Sequence, residues 1–167
     1  TTKSSEFLEK KQLRIANPLF HFGLLCVIGG HVVGVLIPKT WTAAIGINDH
    51  MYHQGALYMG AVAGIIFIVG FLLLMKRRFT VPAMKVNTSG LDKWLYLFLT
   101  LAIFSGMAGT LLNASGFFDY RVSIGPWFRS LISFMPDPSL MEGVPFMFKF
   151  HMLAWMVVAI IFPFSRL

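Results

Sequence analysis

Residues 50–75 read HMYHQGALYMGAVAGIIFIVGFLLLM, a run without Asp, Glu, Lys or Arg, bounded by Asp49 and Lys76. A helix rising 1.5 Å per residue needs about 20 residues to cross roughly 30 Å of bilayer hydrocarbon, so this run is long enough to span a membrane. Three more runs share its character: Ile15 to Pro38, Trp94 to Phe118, and Val144 to Ser165. The last admits only Lys149, whose long stem can carry its ammonium to the interface. The expected fold is all-α, a polytopic membrane protein with four transmembrane helices at about 16–38, 50–75, 94–116 and 144–165. Residues 1–14 precede them as a cytoplasmic segment. Tyr120 to Met141 contains Arg121, Pro126, Arg129, Pro136 and Pro138. That stretch predicts a long loop with a short interfacial helix around Trp127 to Met135.

Composition agrees with this reading. Of 167 residues, 56% are hydrophobic and 13% charged, with mean hydropathy +0.71, whereas a soluble domain carries about a quarter charged residues. The formal charge of +7 points to membrane loops, not to nucleic acid. Lys3, Lys10, Lys11, Arg14, Lys76, Arg77, Arg78, Lys85, Lys93 and Arg166 fall on one side of the spans, against Lys39, Arg121, Arg129 and Lys149 on the other. The positive-inside rule then puts both termini in the cytoplasm and the 38–49 and 119–143 loops outside. Trp41, Trp127, Trp94 and Tyr96 suit an aromatic belt; Trp155 falls in mid-span. No cleavable signal peptide is visible, because the first apolar run is too long and starts too late. The single cysteine, Cys26, excludes an internal disulfide framework and any multi-cysteine metal site, and reads as a small buried apolar residue.

Function rests on the histidines. His21, His31 and His151 lie inside spans, where an ionisable side chain is a functional candidate and a bond to a backbone carbonyl of a neighbouring helix is the structural alternative. Depth favours the first reading for two of them. His31 lies about seven residues inside Pro38, and His151 about seven residues inside Val144, so each sits roughly 11 Å below the same surface on antiparallel helices. Two such imidazoles can ligate one haem iron from opposite faces. Gly29 and Gly30 beside His31 would leave room for something flat. Gly60 and Gly64 read as close helix packing of the small-xxx-small kind, and Gly34, Gly106 and Gly109 are further small positions. His21 lies ten residues, roughly 15 Å, farther inward, where a second iron could sit with one of the ten methionines in place of an imidazole. Zinc is disfavoured for want of clustered companions. Asp49, His50 and His53 open the second span at the outer interface, with both histidines on one helix face; they are solvated interfacial residues or contacts for a quinol headgroup.

The motifs Asn17-Pro18-Leu19-Phe20-His21, Gly29-Gly30-His31, Lys76-Arg77-Arg78, Thr88-Ser89-Gly90-Leu91-Asp92, Phe148-Lys149-Phe150-His151 and Phe162-Pro163-Phe164-Ser165-Arg166-Leu167 resemble those of the respiratory nitrate reductase gamma subunit over nearly the whole chain. The resemblance implies a five-helix dihaem cytochrome b of the prokaryotic inner (cytoplasmic) membrane. Such a subunit anchors a molybdenum alpha subunit and an iron–sulfur beta subunit, oxidises menaquinol or ubiquinol near the outer face, and passes electrons inward. On it, His31 and His151 would hold the distal haem b, with Gly30 beside them, and His21 would be one ligand of the proximal haem b. The partner of His21 is expected just beyond Leu167 and a further helix before Ile15, so this stretch would be the central portion of a longer subunit. The family's better-known members carry a lysine entering the second span; residues 48–53 have none, and His50 or His53 would take over the headgroup contact.

The mechanism expected from this is quinol oxidation at the outer edge of the His31–His151 haem. Protons leave outward and electrons pass inward, contributing to a proton gradient without a proton channel. Lys149 either pairs with a haem propionate or reaches to water, and Lys76-Arg77-Arg78 is a topology anchor. A membrane cytochrome b serving a heterodisulfide-like reductase would use the same histidines. From another class, a haem-free four-helix transporter or anchor would hold them without haem.

Overall fold

The computed structural model describes residues 11–165, so Lys3, Lys10, Arg166 and Leu167 lie outside the described residues, as does most of the 1–14 segment. Helix α1 (Leu13–His31) runs into a π-helical turn, Val32–Leu36. It is followed by α2 (Lys39–Ala44), α3 (Asp49–Thr80), α4 (Pro82–Val86), α5 (Gly90–Leu112), α6 (Ile124–Ile132) and α7 (Phe146–Ile161), which ends in a 3-10 turn at Phe162–Phe164. Among the described residues four helices are long and apolar enough to cross a membrane, and no strand is present.

Local chemistry explains where the helices depart from the uncharged runs. α3 starts where Asn48 accepts the Met51 N–H at 2.9 Å, and continues past Met75 because Arg77 and Arg78 are buried, not solvated. Arg78 donates to the Tyr96 hydroxyl at 2.7 Å. Arg78 thereby ties α3 to α5 as well as serving any topological role. α5 begins at Gly90, earlier than the apolar run, because Ser89 and Asp92 form a reciprocal capping box. It stops at Leu112, short of Phe118, because the Asn113 side chain bonds both the N–H and the carbonyl of Phe118. The interfacial helix lies at 124–132, ahead of the expected 127–135. Pro126 is accepted in its first turn, and Phe134 at φ 58° ends it. The 38–49 loop contains α2, which starts after Pro38.

α1 packs on α3, α3 on α5 and α5 on α7. The α1–α3–α5 layer is cemented by Phe67, Phe71, Tyr96 and Ile103, with Phe20, Leu24 and Val27 against them; Leu95, Ala102, Ala154 and Val158 join α5 to α7. In hydrocarbon such association rests on close packing, not on the hydrophobic effect. Among the glycines, those pressed against a neighbouring helix backbone are Gly23, against Phe67, and Gly70, against Phe20. Gly60 and Gly64 do not fill that role: a methyl on Gly60 would meet only Thr110 at 3.9 Å, and on Gly64 only the flexible end of Met107. Cys26 is exposed, not buried, because only one side of α1 meets α3, and an apolar thiol can face lipid at little cost.

Candidate functional site

α1 and α7 are not a closely packed pair, yet His31 and His151 meet across the space between them, with ring centroids 5.9 Å apart and planes inclined at 33°. His31 Nδ1 lies 2.7 Å from the Val27 carbonyl, four residues back on α1. His151 Nδ1 lies 2.9 Å from the Ala102 carbonyl of α5. A carbonyl only accepts, so Nδ1 carries the proton in both rings and Nε2 keeps its lone pair, the arrangement typical of metal-ligating histidines. Gly106 makes room for this: a methyl there would stand 2.8 Å from His151 Cε1. Beside His31, a methyl on Gly29 or Gly30 would meet nothing within 4 Å.

His21 shows the same local lock, with Nδ1 2.9 Å from the Asn17 carbonyl and its ring edge against Phe20. Among the described residues no group of three or more His, Cys, Asp or Glu side chains is arranged to hold a metal ion. Lys149, two residues before His151, is exposed.

One turn beyond His31 lies a polar basin. The π turn leaves backbone groups out of helical register, and Arg129 of α6 donates to the Val35 carbonyl at 2.7 Å. Gly34 in the same turn is covered by Tyr120 and Tyr52; a methyl there would lie 3.0 Å from the Tyr120 ring and 3.1 Å from the Tyr52 hydroxyl. A cavity of about 100 Å³ opens here, and Asp49, Tyr52, His53, Asp119, Tyr120 and Arg121 are among its walls. Lys39 bridges Asp49 at 2.8 Å and Asp119 at 2.9 Å, and the hydrogen bonds to those two carboxylates raise its pKa above the ordinary lysine value. Burial pushes the Tyr120 hydroxyl above the usual tyrosine range, and its contact with Tyr52 adds to the effect.

Arg121 is the most constrained member of the basin. It is 3% exposed, sits 3.6 Å over the Tyr52 ring and donates to the Thr42 hydroxyl, while its Nε has no hydrogen-bond partner. His53 Nε2 lies 3.0 Å from the Ala114 carbonyl, under Gly116, which adopts φ +73°. Of the three interfacial residues singled out by sequence, Asp49 and His53 line the cavity; His50 is exposed and outside it, although it shares the i, i+3 face. Tyr52, Tyr120 and Arg121 were not foreseen as members. The one available signal was a basic residue, Arg121, placed on the side of the membrane that the charge bias disfavours.

The family model described as nitrate reductase gamma subunit matches residues 1–167. The nitrate reductase gamma chain of Bacillus subtilis is 49% identical over 168 residues, covering 100% of this chain and 75% of that one. A nitrate reductase-like protein of Mycobacterium tuberculosis is 39% identical over 170 residues, covering 100% of this chain and 26% of that one. The respiratory nitrate reductase 1 gamma chain of Escherichia coli is 29% identical over 166 residues, covering 98% and 73%. A model matched from end to end, on a chain with four apolar helices, means that this chain belongs to the nitrate reductase gamma subunit family.

Proposed function

We propose that the chain is the membrane haem b subunit of a quinol-oxidising nitrate reductase, taking electrons from quinol at the outer face and passing them inward to iron–sulfur and molybdenum subunits. The observation that carries this reading is the His31–His151 pair. Metal–imidazole bonds run about 2.0–2.1 Å, so a metal held between two imidazoles sets their centroids roughly 6 Å apart, close to the 5.9 Å found here. With Nδ1 donating to a carbonyl, Nε2 of each neutral ring is the atom left to ligate, among the described residues no carboxylate or thiolate joins the pair, and Gly29 and Gly30 leave a face of α1 open. This donor set fits a haem, which His31 and His151 would hold. Haem bound there supplies a one-electron acceptor. His21, held in the same tautomer, is the ligand this chain offers to a second haem b in the whole subunit.

The basin beside Gly34 is the headgroup site in this reading. Arg121 Nε is a buried donor suited to a quinol oxygen. His53, whose Nε2–H is committed to Ala114, retains Nδ1 as an acceptor for a quinol proton. Asp49 leads toward water, its side chain 67% exposed even while paired with Lys39. The family's lysine at residues 48–53 is missing here, and the positive charge near the site comes from Arg121 and Lys39 instead.

Reduced-minus-oxidised visible spectra of membranes carrying the full-length protein test the reading. A b-type spectrum is expected, and His31→Ala and His151→Ala should each abolish the same component. His53→Ala should slow quinol oxidation by about 10²-fold or more, the usual weight of a general base, with the spectrum intact. Normal spectra in both ligand variants would overturn the pairing, and absence of any b-type band in haem-replete cells would leave a haem-free transporter or anchor.

A further inference from the structure

Ser105 lies on α5, 6% exposed, in a stretch, Leu101 to Gly109, otherwise built from apolar and small residues. A buried hydroxyl in such a helix commonly returns its proton to a carbonyl three or four residues back, and Ser105 does so, donating to Ala102 at 3.2 Å. The carbonyl it uses is the one that accepts the His151 Nδ1 proton at 2.9 Å. Its own oxygen also stands 3.3 Å from that nitrogen. The three groups close a small ring in which Nδ1–H faces two acceptors, and the hydroxyl, by donating onward, becomes a better acceptor itself.

We propose that Ser105 is a positioning residue that sets the electron-donating strength of His151, and through it the reduction potential at the His31–His151 site. This rests on the haem reading above. Hydrogen bonding at the outer nitrogen of a ligating imidazole makes the ligand more basic. A more basic axial ligand favours the oxidised iron, so the serine oxygen holds the potential down. It also holds the ring beside Gly106, whose missing side chain leaves the space that the imidazole fills.

The test is a potentiometric titration, in membranes carrying the full-length protein, of the b-type component that disappears in His151→Ala. Ser105→Ala removes the acceptor, and the ratio of reduced to oxidised haem at fixed potential should rise about threefold to tenfold, or about 28–59 mV for a one-electron couple. Ser105→Thr keeps the hydroxyl and should stay at the wild-type potential. Loss of the component in Ser105→Ala with retention in Ser105→Thr would equally support the positioning role. An unchanged potential in Ser105→Ala, or the same behaviour in both variants, would overturn it while leaving the haem reading standing. Absence of the component from the wild type would remove both.

Discussion

At the residue scale, the candidate site depends on what is missing as much as on what is present. Gly106 has no side chain where His151 needs its ring, so Gly106→Ala should force the imidazole off the Ala102 carbonyl. On the haem reading proposed above, loss of such a supporting hydrogen bond typically costs 10–100-fold in metal affinity, which predicts a matching fall in occupancy of the His151-dependent spectral component, read against protein amount. His31 and His151 were legible as a pair because depth along a helix is counted in residues. Ser105, Gly106 and Arg121 were not, because their importance lies in partners 46, 45 and 69 positions away (151 − 105, 151 − 106 and 121 − 52). Cys26 misled for the opposite reason: in a membrane an apolar residue can point outward without penalty.

At the element scale, α1 and α3 cross so closely that two glycines are required, each facing a phenylalanine backbone on the other helix. Gly70→Ala would drive a methyl into the Phe20 backbone and should destabilise the protein by about 1–3 kcal/mol or more, measurable as earlier thermal unfolding in detergent. Gly55→Ala, on the same helix and with nothing within 4 Å of the added methyl, should leave that unfolding temperature unchanged or slightly raised. The sequence singled out Gly60 and Gly64 and passed over Gly23 and Gly70; only the rotation of each helix about its axis separates Gly70 from Gly60 and Gly64. The π turn after His31 was equally hidden. It widens α1 just where α6 arrives, and Arg129 accepts the task of bonding the displaced Val35 carbonyl.

At the scale of the whole molecule, the loops at the end remote from Arg77 and Arg78 form one connected polar layer above the histidine pair. Lys39 ties α2 to the start of α3 and to Asp119. Its pKa is raised in the folded protein, so its stabilising charge is fully present below the ordinary lysine value of 10.5 and is lost as pH rises through the higher folded value. Lys39→Met should therefore cost a constant 0–1 kcal/mol or so across pH 7–9, and the difference from wild type should shrink only in strong alkali, as followed by thermal unfolding at each pH.

The membrane explains the division between what was readable and what was not. Hydrocarbon thickness acts along one axis and is met by consecutive residues, so span number, span position and the matched depth of His31 and His151 are written locally in the chain. Nothing comparable acts in the plane of the bilayer, where an apolar residue is equally at home against lipid or protein. Which face of α1 meets α3, which glycines touch backbone, and how Arg121 and Ser105 reach their partners were therefore decided only by tertiary packing.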